Sequence, residues 1–126
     1  MTTLGIGTDI ISNARIKKAI ERTSGFAERI LRPAEKKYCL EHKKSYASVA
    51  ARFAAKEAVA KALGTGFRGF GFQDIEIRND HSGKPEVYLY NQAEVIYRDL
   101  GGQQILLSVS HCKEYAVAFV IIQGAK

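Results

Sequence analysis

The sequence predicts an α+β protein in which a small antiparallel sheet packs around one long helix. Three observations carry this. Residues 45–64 form an alanine-rich run whose larger apolar side chains recur at helical spacing. Residues 4–11 and 115–122 are apolar runs of strand length near the two ends. The second half divides into pairs of strand-like segments at clusters of turn residues. With 126 residues, one domain spanning residues 1–126 and a core of modest size are expected.

In residues 4–11, alternation puts Leu4, Ile6, Thr8 and Ile10 on one strand face and Gly5, Gly7, Asp9 and Ile11 on the other. The two glycines ahead of Asp9 let another backbone or a ligand come close. A carboxylate in an apolar strand is costly unless it is paired or binds a metal. The competing reading is a strand-end Asp that caps the next helix. Asn13 is placed to cap a helix to Arg22, with Ile16, Ala19 and Ile20 facing inward. Ser24-Gly25 breaks it, residues 26–31 make a further turn or two, and Pro33 opens a helix to about Glu41. Between Asn13 and Lys44 stand Arg15, Lys17, Lys18, Arg22, Arg29, Arg32, Lys36, Lys37, Lys43 and Lys44, against four acidic residues. Such a run is either a solvated face or, given its single sign, a docking surface for an acidic partner.

The alanine-rich helix starts where Ser45 can cap it and stops at Gly64. Val49, Phe53, Ala60 and Leu63 make one stripe, and alanine covers most of the remainder, so the helix is expected to be buried nearly all round. Its charges, Arg52, Lys56, Glu57 and Lys61, then need partners. They form helix-surface ion pairs, or they hold an acid and several bases at the edge of a site suited to a cation and a polyphosphate. Glu57 would add a second hard oxygen ligand to Asp9. The glycine–phenylalanine stretch 64–72 lacks the P-loop pattern. It reads as a weak phosphate cradle or as a tight loop with its rings in the core.

Residues 74–78 and 86–90 flank a turn-rich connection and read as a hairpin. Asn91 can cap a helix through Leu100 that Gly101-Gly102 ends. Residues 104–110 and 115–122 form a last hairpin, with Ser108 and Ser110 on one face and His111 at the strand end. A nucleophilic Ser/His pair lacks an acid to orient the imidazole. Hydrogen bonding of Ser110 and His111 to a phosphate fits better, beside the plain alternative of a turn histidine. Sheets with such apolar runs need cover that the few helices do not supply, which favours self-association.

The net charge of +6 implies an anionic partner: a nucleic acid, an acidic protein or a phosphorylated small molecule. No basic leader precedes an apolar run and no run is long enough to span a bilayer, so neither a signal peptide nor a membrane span is expected. Cys39 and Cys112 lack metal or redox spacing and read as reduced cysteines of a cytosolic protein.

Three separated motifs stand together: Gly5-Ile6-Gly7-Thr8-Asp9-Ile10, the helix Arg52-Phe53-Ala54-Ala55-Lys56-Glu57-Ala58-Val59-Ala60-Lys61-Ala62, and Ser108-Val109-Ser110-His111 followed by Tyr115-Ala116-Val117-Ala118. The combination resembles the bacterial holo-acyl-carrier-protein synthases, the small single-domain branch of the phosphopantetheinyl transferases. It covers essentially the whole chain. Cys112 after the histidine and Ala51, where a basic residue is frequent, depart from the pattern. The resemblance implies transfer of 4′-phosphopantetheine from coenzyme A to a serine of an acidic acyl carrier protein, releasing adenosine 3′,5′-bisphosphate, for fatty acid biosynthesis in the cytoplasm. It implies Asp9 and Glu57 as Mg²⁺ ligands, Glu57 and Lys61 as catalytic residues, and a homotrimer with coenzyme A across each protomer boundary. Arg52, Lys56, Ser110 and His111 are then candidates for the phosphates of coenzyme A, and Arg15, Lys18 and Arg22 for carrier docking. A nucleic-acid partner and a membrane are not expected on this reading. The alternative is a small basic nucleic-acid-binding module, which the charge supports, although no RNP-like strand, recognition helix or zinc spacing is present. A Mg²⁺-dependent phosphodiesterase is a third reading of two carboxylates and a lysine.

Overall fold

Main chain packs on main chain where the first strand meets the longest helix, and this contact sets the architecture. The computed structural model describes residues 1–41 and 45–125. In order these are β1 (Thr2–Ser12), α1 (Asn13–Arg22), α2 (Phe26–Ile30), α3 (Pro33–Leu40), α4 (Ser45–Ala62), a 3₁₀ turn (Phe72–Asp74), β2 (Ile75–Asn79), β3 (Pro85–Leu89), α5 (Asn91–Asp99), β4 (Gly102–His111) and β5 (Tyr115–Gly124). An antiparallel sheet runs in the order β1-β5-β4, and β2 and β3 form a separate antiparallel hairpin. The expected α+β class is what the chain adopts. The capping side chain expected of Ser45, and Lys43 and Lys44 of the basic run, lie outside the described residues.

A Cβ on Gly5 would stand 1.9 Å from the carbonyl oxygen of Ala62, and one on Gly7 would stand 1.9 Å from that of Ala58. Only glycine lets β1 lie this close to α4. The helix answers with small residues: Ala54, Ala55, Ala58, Val59 and Ala60 are fully buried, as the alanine-rich pattern predicts. One core forms between α4, the inner sheet face (Ala118, Val120, Ile122) and β2 (Ile75, Ile77). A second gathers Ile16, Ile30, Leu31, Cys39 and Val49 around the amino-terminal half of α4.

Several local expectations change. Asp9 pairs with Ala118 inside β1 and is not a strand-end cap; the cap of α1 is Ser12, whose Oγ accepts from the N–H of Arg15 at 3.3 Å. Asn13 instead donates from Nδ2 to the carbonyls of Cys112 and Lys113, both at 3.1 Å, and from its N–H to Glu114, which ties α1 to the β4–β5 turn. A register shift between Thr3 and Gly5 turns Leu4 toward the core, so the outer face of β1 carries Ile6, Thr8 and Ile10 without it. Asn91 adopts a left-handed φ of 54° at the start of α5 and donates from Nδ2 to Asp74 instead of serving as the cap, a position that Tyr90 takes. The glycine-rich stretch is a tight loop: Phe67 stacks on Phe72 with centroids 4.3 Å apart, and Phe72 on Phe53 at 5.2 Å.

The other side of the three-stranded sheet is uncovered. Ile6 is 63% exposed, Ile10 61% and Phe119 48%, with Leu106 and Tyr115 beside them. The register places Ile6, Ile121 and Leu106 in one row and Thr8, Phe119 and Ser108 in the next, so these side chains form one contiguous apolar patch.

Candidate active site

Asp9 is the next inward-facing position of β1 after Gly5 and Gly7, and Glu57 and Lys61 lie one turn apart on the α4 segment that those glycines touch. The close approach of strand and helix therefore brings the three side chains together. Lys61 Nζ donates to the carbonyl of Thr8 at 2.9 Å and lies 3.3 Å from Asp9 Oδ1. The Asp9 side chain is 16% exposed and that of Lys61 53%, so the group opens to solvent on the lysine side. Burial pushes the Glu57 carboxyl above the ordinary carboxylate range, the charge of Asp9 pushes it the same way, and Lys61 opposes. Two carboxylates share one lysine, which leaves a negative surplus made of hard oxygen atoms. That donor set fits a small divalent cation that keeps water and substrate phosphate as its other ligands. Among the described residues no third His, Cys, Asp or Glu completes an all-protein metal cage.

Arg52 and Lys56 do not join this group. Five residues separate Arg52 from Glu57, a rotation of about 140° around the helix, so the two point to different sides of α4. Arg52 reaches β2, where Nη2 donates to Asn79 Oδ1 at 2.7 Å, and its guanidinium lies 4.5 Å from the centre of the Tyr38 ring. With Asn79, Pro85, Ser108 and His111 it lines a cavity of about 470 Å³. Lys56 is a correction to the sequence reading. It is fully buried and donates to the carbonyls of Ile30 (2.6 Å) and Phe72 (3.1 Å) and to Glu35 Oε1 (2.7 Å), so it reaches no phosphate. Burial draws its ammonium below the ordinary lysine range while the Glu35 carboxylate opposes. Ser110 is exposed in the outer-face row of Ile10 and Val117, and Ser108, two positions before it, borders the cavity.

Arg15, Lys18 and Arg22 are exposed on α1, which begins four residues after Asp9, and among the described residues none of the three is in a salt bridge. The basic helix thus follows directly on the strand that carries Asp9. Sequence reasoning missed Glu35 and Asn79. Glu35 reads as an ordinary helix-start glutamate, and it does accept the N–H of Arg32 at 2.8 Å; Asn79 reads only as a turn residue.

A carboxylate pair beside a lysine, flanked by a basic helix, is equipment for handling a phosphorylated substrate with a divalent cation. The sequence pattern of the 4′-phosphopantetheinyl transferase superfamily matches residues 5–120. The holo-[acyl-carrier-protein] synthase of Clostridium novyi is 47% identical over 95% of this chain and 87% of that protein. The crystal structure of holo-[acyl-carrier-protein] synthase from Neisseria meningitidis superposes with a TM-score of 0.86 at 40% identity, covering 97% of this chain and 99% of that one. The Bacillus anthracis synthase, in complex with CoA (3′,5′-ADP), gives 0.83 at 39% identity over 99% and 100% of the two chains. The chain belongs to the 4′-phosphopantetheinyl transferase superfamily, and the relatives it matches there are holo-[acyl-carrier-protein] synthases.

Proposed function

We propose that this protein transfers 4′-phosphopantetheine from coenzyme A to a serine hydroxyl of apo acyl carrier protein, in the cytoplasm and for fatty acid biosynthesis. The observation that carries the reading is the convergence of Asp9, Glu57 and Lys61 at the glycine-lined contact of β1 and α4. The serine oxygen attacks the pyrophosphate phosphorus that bears pantetheine, and adenosine 3′,5′-bisphosphate leaves with the bridging oxygen. Asp9 and Glu57 would hold Mg²⁺, which when bound neutralises charge on the pyrophosphate. Glu57 stands in this group as a candidate acceptor of the serine proton. Lys61 steadies the pyrophosphate and donates a proton to the departing phosphate. The exposed cations of α1 receive the acidic carrier beside this group.

The Arg52–His111 cavity serves the nucleotide end of coenzyme A. It lies on another side of α4 from the carboxylates, which supports a site shared between protomers. A homotrimer joined through the apolar outer sheet face would set the carboxylates of one chain against the cavity of the next.

Asp9→Ala and Glu57→Gln should each lower Mg²⁺-dependent labelling of a carrier protein by at least about 100-fold with the fold intact. Full-rate labelling by either variant at low Mg²⁺ would remove it from the site. Coenzyme A with Mg²⁺ should also raise the Tm of the wild type; protection by a nucleic acid instead would overturn the reading.

A further inference from the structure

The interior holds a charged cluster around Glu35 that the proposed chemistry does not explain. Glu35, 2% exposed in the first turn of α3, gathers four groups. Its Oε1 accepts from the N–H of Arg32 at 2.8 Å and from Lys56 Nζ at 2.7 Å. Its Oε2 accepts from the N–H of Ile77 at 3.0 Å and faces Arg52 Nε at 3.7 Å. A glutamate that only capped α3 would need the first of these bonds and could sit in water. This one instead joins α3 to α4 and to β2, with two cations at a single carboxylate.

The cluster is asymmetric. Lys56 makes the direct ionic contact and has no exposed surface. Arg52 Nε is buried without a hydrogen bond, so this guanidinium is less fully compensated. It is nevertheless held in place: Nη2 bonds Asn79 Oδ1 at 2.7 Å and the Ile77 carbonyl at 3.4 Å, and the plane rests on Tyr38. Glu35 holds the N–H of the same Ile77 whose carbonyl Arg52 uses. Arg52 is the only Lys or Arg in the lining of the 470 Å³ cavity among the described residues.

We propose that Glu35 is a positioning residue for the coenzyme A nucleotide. By neutralising Lys56 and anchoring β2 at Ile77, it fixes the Arg52 guanidinium in one orientation with its unbalanced charge at the cavity wall. This rests on the reading of that cavity as the nucleotide site. A fixed cation binds a phosphate without the ordering cost that a free arginine side chain would incur.

The test measures adenosine 3′,5′-bisphosphate binding by calorimetry without Mg²⁺, alongside KM and kcat for transfer. The variants are Arg52→Met, Glu35→Gln, Glu35→Asp and the double variant Glu35→Gln/Lys56→Met, which removes carboxylate and ammonium together and so leaves no stranded lysine charge. Arg52→Met should weaken binding by at least 10-fold, roughly one charge-assisted contact. The double variant should bind about 10-fold more weakly and raise the KM for coenzyme A to match, with kcat and the carrier KM unchanged; Glu35→Asp should recover part of the loss. Wild-type binding by Arg52→Met would overturn the nucleotide reading of the cavity, and this proposal with it. Weak binding by Arg52→Met beside wild-type binding by the Glu35 variants would overturn the positioning role alone. A fall in kcat at constant KM, or failure of all three Glu35 variants to fold, would make Glu35 a folding hub and also overturn the proposal.

Discussion

Gly7 shows how one residue without a side chain places two that have them. Adding a methyl group there would drive it into the Ala58 carbonyl, which helix hydrogen bonding prevents from moving aside. Gly7→Ala should destabilise the protein by about 3 kcal/mol, at the upper end for overpacking, and should separate Asp9 from Glu57. Denaturant melts and transfer assays would show both, and a neutral melt would mean the contact is softer than its geometry. Cys39 gives a second test. It is buried, and burial raises its thiol pKa, whereas Cys112 is exposed. A thiol reagent should modify Cys112 at once and Cys39 only on unfolding. Because the folded-state pKa of Cys39 lies above the unfolded one, its contribution to stability is complete below about pH 9 and is lost as pH rises through the folded value. Cys39→Ala should flatten that alkaline loss in a pH series of melts. Asp9 and Glu57 were legible as candidates because a carboxylate in an apolar strand or an alanine-rich helix demands a partner. Lys56 was not, because four charges on one helix look alike until tertiary packing shows that Glu35 lies opposite two of them and buries Lys56 completely.

At the scale of elements, α1 is a basic face on a helix anchored at both its strand and the β4–β5 turn. Arg15→Glu should raise the KM for an acidic carrier about 5- to 10-fold and leave the KM for coenzyme A unchanged. Salt should mimic the substitution, since exposed charges are screened over ~8–10 Å. A carrier KM indifferent to both would exclude electrostatic docking. The elements themselves could be read from periodicity, glycine stops and Pro33; β1, β4 and β5 run a few residues longer than expected, and β2 and β3 are each displaced by one residue. Caps were less legible. Ser12 and Asn13 are both good cap residues in sequence, and the choice fell to Ser12 because Asn13 is drawn to the carbonyls of a turn about 100 positions away. Ser108 and Ser110 share the outer face of β4, and alternation alone does not tell which of the two borders the cavity.

For the whole molecule, the uncovered outer sheet face is the feature most in need of a partner. Phe119→Asp and Ile10→Asp should shift elution on a sizing column from trimer to monomer and abolish transfer. Mixing inactive Asp9→Ala chains with inactive His111→Ala chains, then unfolding and refolding them together, should restore part of the activity if boundaries combine two intact halves. Mixed assemblies that stay inactive would refute the shared site. This face was legible as long apolar strands, but their partition between core and surface depended on the pairing of β1 with β5, which are distant in sequence. That pairing has a consequence in time. Among the described residues, β1 is hydrogen-bonded in its sheet only to β5, with Thr2 opposite Gly124 and Asp9 opposite Ala118. During synthesis the strand bearing Asp9 leaves the ribosome long before the strand it pairs with, since Asp9 stands opposite Ala118. Contacts this distant along the chain close late in folding. A polypeptide that lacks β5 leaves β1 without its hydrogen-bonded neighbour, so the carboxylate pair should be held in place only once β5 has been made.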